Sequence, residues 1–493
     1  MPMPTSVTPA PISVTPARSS PAADGRWPVV IQGGMGVAVS SWQLAKAVSQ
    51  VGQLGVVSGT ALDVVIARRL QDGDVGGDVR RALDHFPVPA IAKRVLTTHF
   101  REGGRAPGQP YRPVHKLSMD ASPRSLELSI VANFAEVWLA KEGHDGVVGI
   151  NFLEKVQMAT PSAAYGAILA GVDYVLMGAG IPTEIPRLLD HLARHEPCSL
   201  DLHVVGATTA YSVGLVPDDF SGGELDPLSR PIFLAIVSAH VLAAYLARED
   251  STRPDGFVIE GPRAGGHNAP PRGRLVLDDD GQPVFGPRDD ADLAKVAAIG
   301  LPFWLAGGYS TAEQVRAARA AGAAGVQVGT LFAMCDESGL STSMREELLS
   351  GLAAGSLDVR TDPLASPTGF PFKVASVPGT LSDADVYAAR PRLCDLSYLR
   401  VAYERKPGAV GYRCPAEPVD TFVRKGGDIA DTVGRKCLCN GLTANVGLGQ
   451  TRKDGYQEAA VVTLGADLDG VTEMLLNLPD GWTAAQAVDH LLQ

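Results

Sequence analysis

Short apolar runs, most of them bounded by glycine and each followed by an amphipathic stretch, recur from Val29 to about residue 330. This alternation constrains the fold more than any other feature. The runs are Val29–Gly34, Leu54–Gly59, Val147–Phe152, Tyr174–Gly178, Leu200–Val205, Ile232–Val237, Gly256–Glu260, Phe303–Ala306 and Gly325–Val328. Strands that alternate with helices imply a parallel sheet with helices outside it. Strands apolar throughout suit a sheet buried on both faces. Two architectures meet this description, a closed barrel and an open doubly wound sheet. The open sheet wants Gly-x-Gly-x-x-Gly after its first strand, and Gly33-Gly34-Met35-Gly36 does not have that spacing. The expectation is therefore an α/β chain folded as a (β/α)8 TIM barrel. Nine runs compete for eight positions. Either Leu200–Val205 or Ile232–Val237 falls outside the ring, or the two share one place across the polar stretch 208–230.

A barrel takes roughly 250 residues, and this chain has 493, so other segments must be accounted for. Residues 1–25 are rich in Pro, Ser, Thr and Ala, and repeat Ser-Val-Thr-Pro-Ala at 6–10 and 13–17. Such a segment buries too little to offset chain entropy and reads as a disordered tail. Residues 26–360 are expected to form the barrel, with 71–145 as an insertion of helical pieces after the second β/α unit. Residues 361–493 read as an appended C-terminal region that packs on the barrel and ends in a helix near Ala484–Leu492.

The net charge of −11 argues against nucleic acid, which is bound by neutralising phosphates with Lys and Arg. No apolar run is long enough to span a bilayer, and no basic segment followed by an apolar core opens the chain. A cytoplasmic protein acting on a small molecule is the expectation, with homo-oligomerisation left open. Six cysteines in 493 residues do not suggest a disulfide framework.

Active sites of barrels lie at the C-terminal ends of the strands. Four ends carry notable residues. Ala306-Gly307-Gly308-Tyr309-Ser310-Thr311 joins an apolar strand to a helix, where glycine admits a phosphate close to backbone N–H groups and the helix start adds its positive end. Gln327-Val328-Gly329-Thr330 closes the next strand, and two adjacent glycine-bearing ends form the usual phosphate site of a barrel. Gly265-Gly266-His267 lies just beyond Gly256–Glu260. An imidazole there can serve as general base or hydrogen-bond donor. Gly33-Gly34-Met35-Gly36 could line the edge of a flat ring, with Met35 as a soft apolar contact.

Five ordered segments resemble the nitronate monooxygenase (2-nitropropane dioxygenase) family, which includes the flavin-type enoyl-acyl-carrier-protein reductases. They are IQGGMG at 31–36, GINF at 149–152, AGGH at 264–267, AGG at 306–308 and VQVGT at 326–330, with SPTGFP at 366–371 as a further echo. The resemblance implies an FMN-dependent oxidoreductase. It places Gly34 and Met35 against the isoalloxazine, Asn151 and Gly266 on the cofactor, and Gly307, Gly308, Gln327, Val328, Gly329 and Thr330 on its ribityl and phosphate. It puts His267 on the substrate side as the catalytic residue. The activity it implies is oxidation of alkyl nitronates with O2 to a carbonyl compound and nitrite. The alternative within the family is an FMN- and NAD(P)H-dependent reductase of enoyl thioesters in fatty-acid or polyketide synthesis. A barrel that only binds, as a subunit, is a third reading. One departure stands out: Arg263 occupies a place where the family usually carries an acid. That cation would either suit an anionic substrate or pair with Glu260.

Cys394, Cys414, Cys437 and Cys439 gather in the C-terminal region. Four thiolates could hold zinc or an iron–sulfur cluster, but without any Cys-x2-Cys pair the preferred reading is packed thiols or part of a cap, with metal binding left open. His203 and His240 lie on apolar stretches and read as core groups. His191 and His195, at i and i+4, read as a solvated helix face.

Overall fold

The computed structural model describes residues 26–493 except 222 and 224. The tail expected over residues 1–25 lies outside the described residues. Eight parallel strands form the central sheet: β1 (Val30–Gln32), β2 (Gly55–Ser58), β3 (Val148–Leu153), β4 (Tyr174–Gly178), β5 (Ile232–Val237), β6 (Gly256–Glu260), β7 (Phe303–Ala306) and β8 (Gly325–Val328). Each is hydrogen-bonded to its sequence neighbour from β2 round to β8, and β8 pairs with β1. The ring shuts between β1 and β2 at Ile31 and Leu54. There Gln32 N–H donates to Leu54 O at 2.9 Å and Leu54 N–H to Val30 O at 3.1 Å. The chain is a (β/α)8 barrel, as the alternation implied.

The ninth run is settled by its burial pattern. Ile232–Val237 is buried at every residue and takes the fifth place. Leu200–Val205 stays outside. Its first part belongs to strand Cys198–Asp201, which pairs antiparallel with Ser212–Leu215, and Val204–Val205 pairs with Val401–Lys406. Leu202 and Val204 are buried while Asp201 and His203 are exposed. That alternation suits a sheet wet on one face, not a barrel stave. It also corrects the reading of His203, which is a solvent-facing residue and not a core group. His195 lies beyond the end of helix Ile185–Ala193, at φ +58°, where its Nδ1 meets Tyr165 Oη at 2.8 Å.

Inside the barrel, Ile31, Val56, Leu176, Leu234, Val258 and Trp304 form a dry plug. Trp304 is fully buried, and its indole N–H donates to Pro28 O at 2.8 Å. A buried indole needs such a partner. The stretch 71–145 contains helices Asp78–Asp84, Pro89–His99 and Pro123–Lys141. The last is apolar nearly all round and is sandwiched among helices Trp42–Gln50, Leu62–Gln71 and Thr160–Leu169. Its buried Glu136 accepts from Trp42 N–H at 2.9 Å and pairs with Arg69 at 2.7 Å.

Downstream of β8 the chain returns to the barrel. Strand Val359–Asp362 pairs antiparallel with Phe372–Ala375, and Val401–Lys406 forms a hairpin with Ala409–Arg413. Helix Ala484–Leu492 packs between Trp42–Gln50 and Ala312–Ala320, the helices that follow β1 and β7. It thus fills the ring position that the segment directly after β8 leaves open. Buried Trp482 anchors it, donating from its indole to Leu331 O at 3.3 Å. No helix of the described residues is long and apolar enough to cross a membrane.

Leu234 is wholly buried in the plug. Leu234→Ala is expected to destabilise the fold by about 2–5 kcal/mol, the range for truncating a packed leucine. A denaturant-unfolding midpoint unchanged from the parent protein would contradict that placement.

Candidate active site

One cavity of ≈ 270 Å³ opens at the C-terminal ends of the strands. Gly34, Met35, Asn151, Gly266, His267, Gly307, Gly308, Gln327, Val328, Gly329 and Thr330, every site residue read from the sequence, line it.

The loop after β1 is shaped from within. Gln32 is fully buried, and its amide accepts from Val56 N–H at 3.0 Å and donates to Ser40 Oγ at 2.7 Å. Ser40 Oγ in turn donates to Gly33 O and accepts from Met35 N–H, both at 2.8 Å. These bonds turn the backbone of Gly33–Met35 toward the cavity. Gly34 passes so close to Asn151 that a Cβ there would overlap the asparagine's own Cβ. Asn151, from β3, donates to Gly34 O at 3.2 Å.

The cavity wall holds three buried acceptors that have no partner among the described residues: Asn151 Oδ1, Gln327 Oε1 and Asn445 Oδ1. Buried polar atoms are nearly always paired, and leaving one unpaired costs about 1–3 kcal/mol. Three in residues lining one cavity mark a place for a ligand rich in N–H and O–H donors. Gly307 and Gly308 adopt φ +89° and +105°, which side chains rarely do. The helix Ala312–Ala320 that follows is already capped. Gln314 Oε1 accepts from Ser310 N–H at 2.7 Å and Thr311 N–H at 2.9 Å. Those two donors are therefore spent, and the open backbone at this strand end is that of the glycines.

Arg263 is exposed at the rim and makes no pair with Glu260. Its Nη1 lies 3.3 Å from the point a Cβ of Gly308 would occupy. Asp467 Oδ2 stands 3.5 Å from the same point and accepts from Gln314 Nε2 at 3.1 Å. Glu260 faces Lys373 instead: burial pushes its carboxyl up and the Lys373 ammonium down, each partly offset by the other's charge.

His267 is placed by residues from the C-terminal region. Gly266 N–H donates to Thr463 Oγ1 at 2.9 Å, Lys373 N–H to Gly266 O at 2.9 Å, and Asn268 N–H to Pro371 O at 2.9 Å. Phe372 presents its ring to the imidazole at 4.9 Å between centroids. Ser366 Oγ, fully buried, lies 2.7 Å from Nε2 and is itself joined to Thr368 Oγ1 at 2.8 Å. Among the described residues this leaves Nδ1 as the nitrogen without a protein partner. The SPTGFP echo thus supplies the hydroxyl that meets the histidine, and the residue just after it, Phe372, supplies the ring. Other lining residues were not singled out from the sequence: Tyr398, Leu399, Leu438, Leu442 and the 462–467 segment. The signal for the last was faint, a single glycine. Gly465 N–H donates to Thr330 Oγ1 at 2.8 Å, and a Cβ there would press on Arg263 O at 3.1 Å.

Residues 224–357 match the sequence model of the nitronate monooxygenase family. The matched segment holds β5 to β8 and with them His267, Gly307, Gly308 and Gln327 to Thr330; Gly34, Met35 and Asn151 lie before it. A nitronate monooxygenase of Pseudomonas aeruginosa is 34% identical over 40% of this chain and 51% of its own length. A (3aS,4S,5R,7aS)-5-hydroxy-7a-methyl-1-oxo-octahydro-1H-indene-4-carboxyl-CoA dehydrogenase of Rhodococcus jostii is 25% identical over 32% of this chain and 39% of its own. The chain therefore spans about half, or less, of the length of these curated relatives. Among solved structures, FabK from Thermotoga maritima aligns over 94% of this chain and 91% of its own at 15% identity, with a TM-score of 0.47.

Burial lowers His267 to about 4, helped by the nearby Lys155 ammonium. The imidazole is expected to be neutral at pH 7. Because its folded value lies below the ordinary 6.5, its contribution to stability is present above that pH and is lost as pH falls toward 4. NMR titration of the histidine resonances, assigned with His267→Asn, checks this; a midpoint at or above 6 would contradict it.

Proposed function

We propose that the chain is an FMN-dependent oxidoreductase and that its activity is oxidation of alkyl nitronates with O2 to a carbonyl compound and nitrite. The observation that carries this reading is the set of unpartnered buried acceptors, Asn151 Oδ1, Gln327 Oε1 and Asn445 Oδ1, in one cavity with open glycine backbone and a fixed histidine. A flavin mononucleotide offers what that wall lacks: a ring N–H, ribityl hydroxyls and an anionic end.

In this reading Gly34 and Met35 carry the flat ring, with Asn151 beside it. Gln327 meets the ribityl chain. Gly307, Gly308, Gly329 and Thr330 receive the phosphate, with Arg263 at the rim as the nearest cation and Asp467 held aside by Gln314. Bound there, FMN would supply the two-electron acceptor chemistry. The chain's own contribution is to position and exclude. The apolar roof of Leu399, Leu438, Leu442 and Val462 keeps water from the substrate side. His267, neutral at neutral pH, presents Nδ1 either to take a proton from the substrate or to orient it through a hydrogen bond.

A second reading is favoured by the Rhodococcus relative, whose name specifies an acyl-CoA substrate. In it the chain is an FMN- and NAD(P)H-dependent reductase of enoyl thioesters. The two readings differ in electron donor. Mixing the FMN-loaded protein anaerobically with nitronates, NADH or NADPH separates them. Flavin bleaching by a nitronate supports the first reading; bleaching by a nicotinamide alone overturns it in favour of the second.

Gly308→Val is expected to abolish retention of FMN, because the new side chain would meet Arg263 and Asp467 in a backbone conformation that valine resists. Flavin content of the purified variant, read by absorbance, checks this, and full occupancy would remove Gly308 from the cradle. His267→Ala is expected to keep FMN yet slow turnover by on the order of 10²–10⁴, typical of general acid–base groups. Steady-state rates equal to those of the parent protein would take His267 out of the mechanism.

A further inference from the structure

Four of the chain's six cysteines come from separate turns of the C-terminal region. Cys394 lies in a loop, Cys414 follows strand Ala409–Arg413, and Cys437 and Cys439 stand at the start of helix Leu438–Ala444. Folding brings all four to the wall of one small chamber, completed by Pro367, Ser397, Leu399, Arg400, Ala416 and Leu438. The four are free thiols. Thiols that serve only as packing should fill space, since a void forfeits dispersion contacts on every wall that faces it. Here all four border one gap of about 10 Å³, at the edge of an apolar cluster formed by Cys414, Ala416 and Cys437. Nor do three or more of them, or of any His, Asp or Glu among the described residues, converge as the ligands of a single metal ion would.

Ligands that encircle a space without meeting at a point suit a ligand with several metal corners. We propose that Cys394, Cys414, Cys437 and Cys439 bind a [4Fe–4S] cluster, each thiolate taking one iron. The cluster's own sulfides bridge the gap that one ion could not. The charge is matched as well. A thiolate-ligated cluster is anionic, and the single charged side chain on the chamber wall is Arg400. Its guanidinium is held in place by Ser397 O at 2.8 Å and Leu117 O at 2.7 Å. Leu399, Leu438 and Cys439 line both this chamber and the central cavity, so the cluster lies one residue's thickness from the candidate active site. The spacing of the cysteines lacks the short repeats of ferredoxin-type sites; the fold supplies the convergence that the spacing does not.

The assignment is independent of substrate and flavin. Its test is anaerobic incubation of the purified full-length chain with ferric iron, sulfide and dithiothreitol, which reduces part of the iron, followed by desalting. About four iron and four acid-labile sulfide per chain, with visible absorption that dithionite bleaches, is the expected result. Iron below one per chain overturns the proposal, as does one tightly held zinc per chain that iron and sulfide fail to displace. Cys437→Ser and Cys414→Ser are expected to lose most of the iron, and Cys198→Ser, outside the chamber, to keep it. Equal iron in all three variants, each with the circular dichroism of the parent chain, overturns the assignment; the stoichiometry of the unmutated chain decides it even where a variant does not fold.

Discussion

The candidate site depends on backbone hydrogen bonds that tie the loop after β6 to distant parts of the chain. Gly266 is bonded on both sides, to Thr463 and to Lys373, and Asn268 to Pro371. Ala466 N–H reaches Arg263 O at 2.9 Å. A glycine-rich loop has little preference of its own. Its shape here is imposed by two segments that come more than a hundred residues later. The imidazole of His267 inherits its orientation from them, through Ser366 and Phe372. The barrel supplies the floor of the cavity, and the C-terminal region supplies its walls and roof.

The electrostatics follow the same division. At the strand ends, acceptors are left over: Asn151 and Gln327 line the cavity, and their buried amide oxygens have no partner among the described residues. Around them, charges are either engaged or at the rim. Asp467 is occupied by Gln314, Glu260 stands against Lys373, and Arg263 alone remains open to a ligand among the charges at the mouth. Arg263 is thus not spent on Glu260. It adds a cation beside the glycines of β7.

Much of this was legible in the sequence because the barrel is built from local periodicities. The runs at 174–178, 232–237, 256–260, 303–306 and 325–328 appear as strands with those bounds. The lining residues could be read because strand ends are where barrels place them. What sequence could not show were contacts between elements far apart in the chain. Leu200–Val205 looked like a stave until its alternation of buried and exposed residues was seen in place, and His203 went with it. Thr463 has no local signature, and neither SPTGFP nor the cysteine spacing tells what Ser366 or the four cysteines meet, because that depends on where the chain returns. The helix donors at Ser310 and Thr311 were counted as available for an anion; the side chain of Gln314, three to four residues on, takes them.

The helix Ala484–Leu492 has a consequence for biosynthesis. It is the last described element to leave the ribosome, yet it occupies a place in the ring between helices made near the beginning and in the middle of the chain. Until it arrives, the apolar faces of Trp42–Gln50 and Ala312–Ala320 have no cover. The nascent barrel therefore waits, partly open, through the synthesis of the whole region that follows β8. Contacts of such long sequence separation form slowly, and exposed apolar surface in the interval invites aggregation. The protein's yield in a cell is thus set by how well that interval is protected, and its sensitivity to chaperone supply should exceed that of a barrel whose helices close in order.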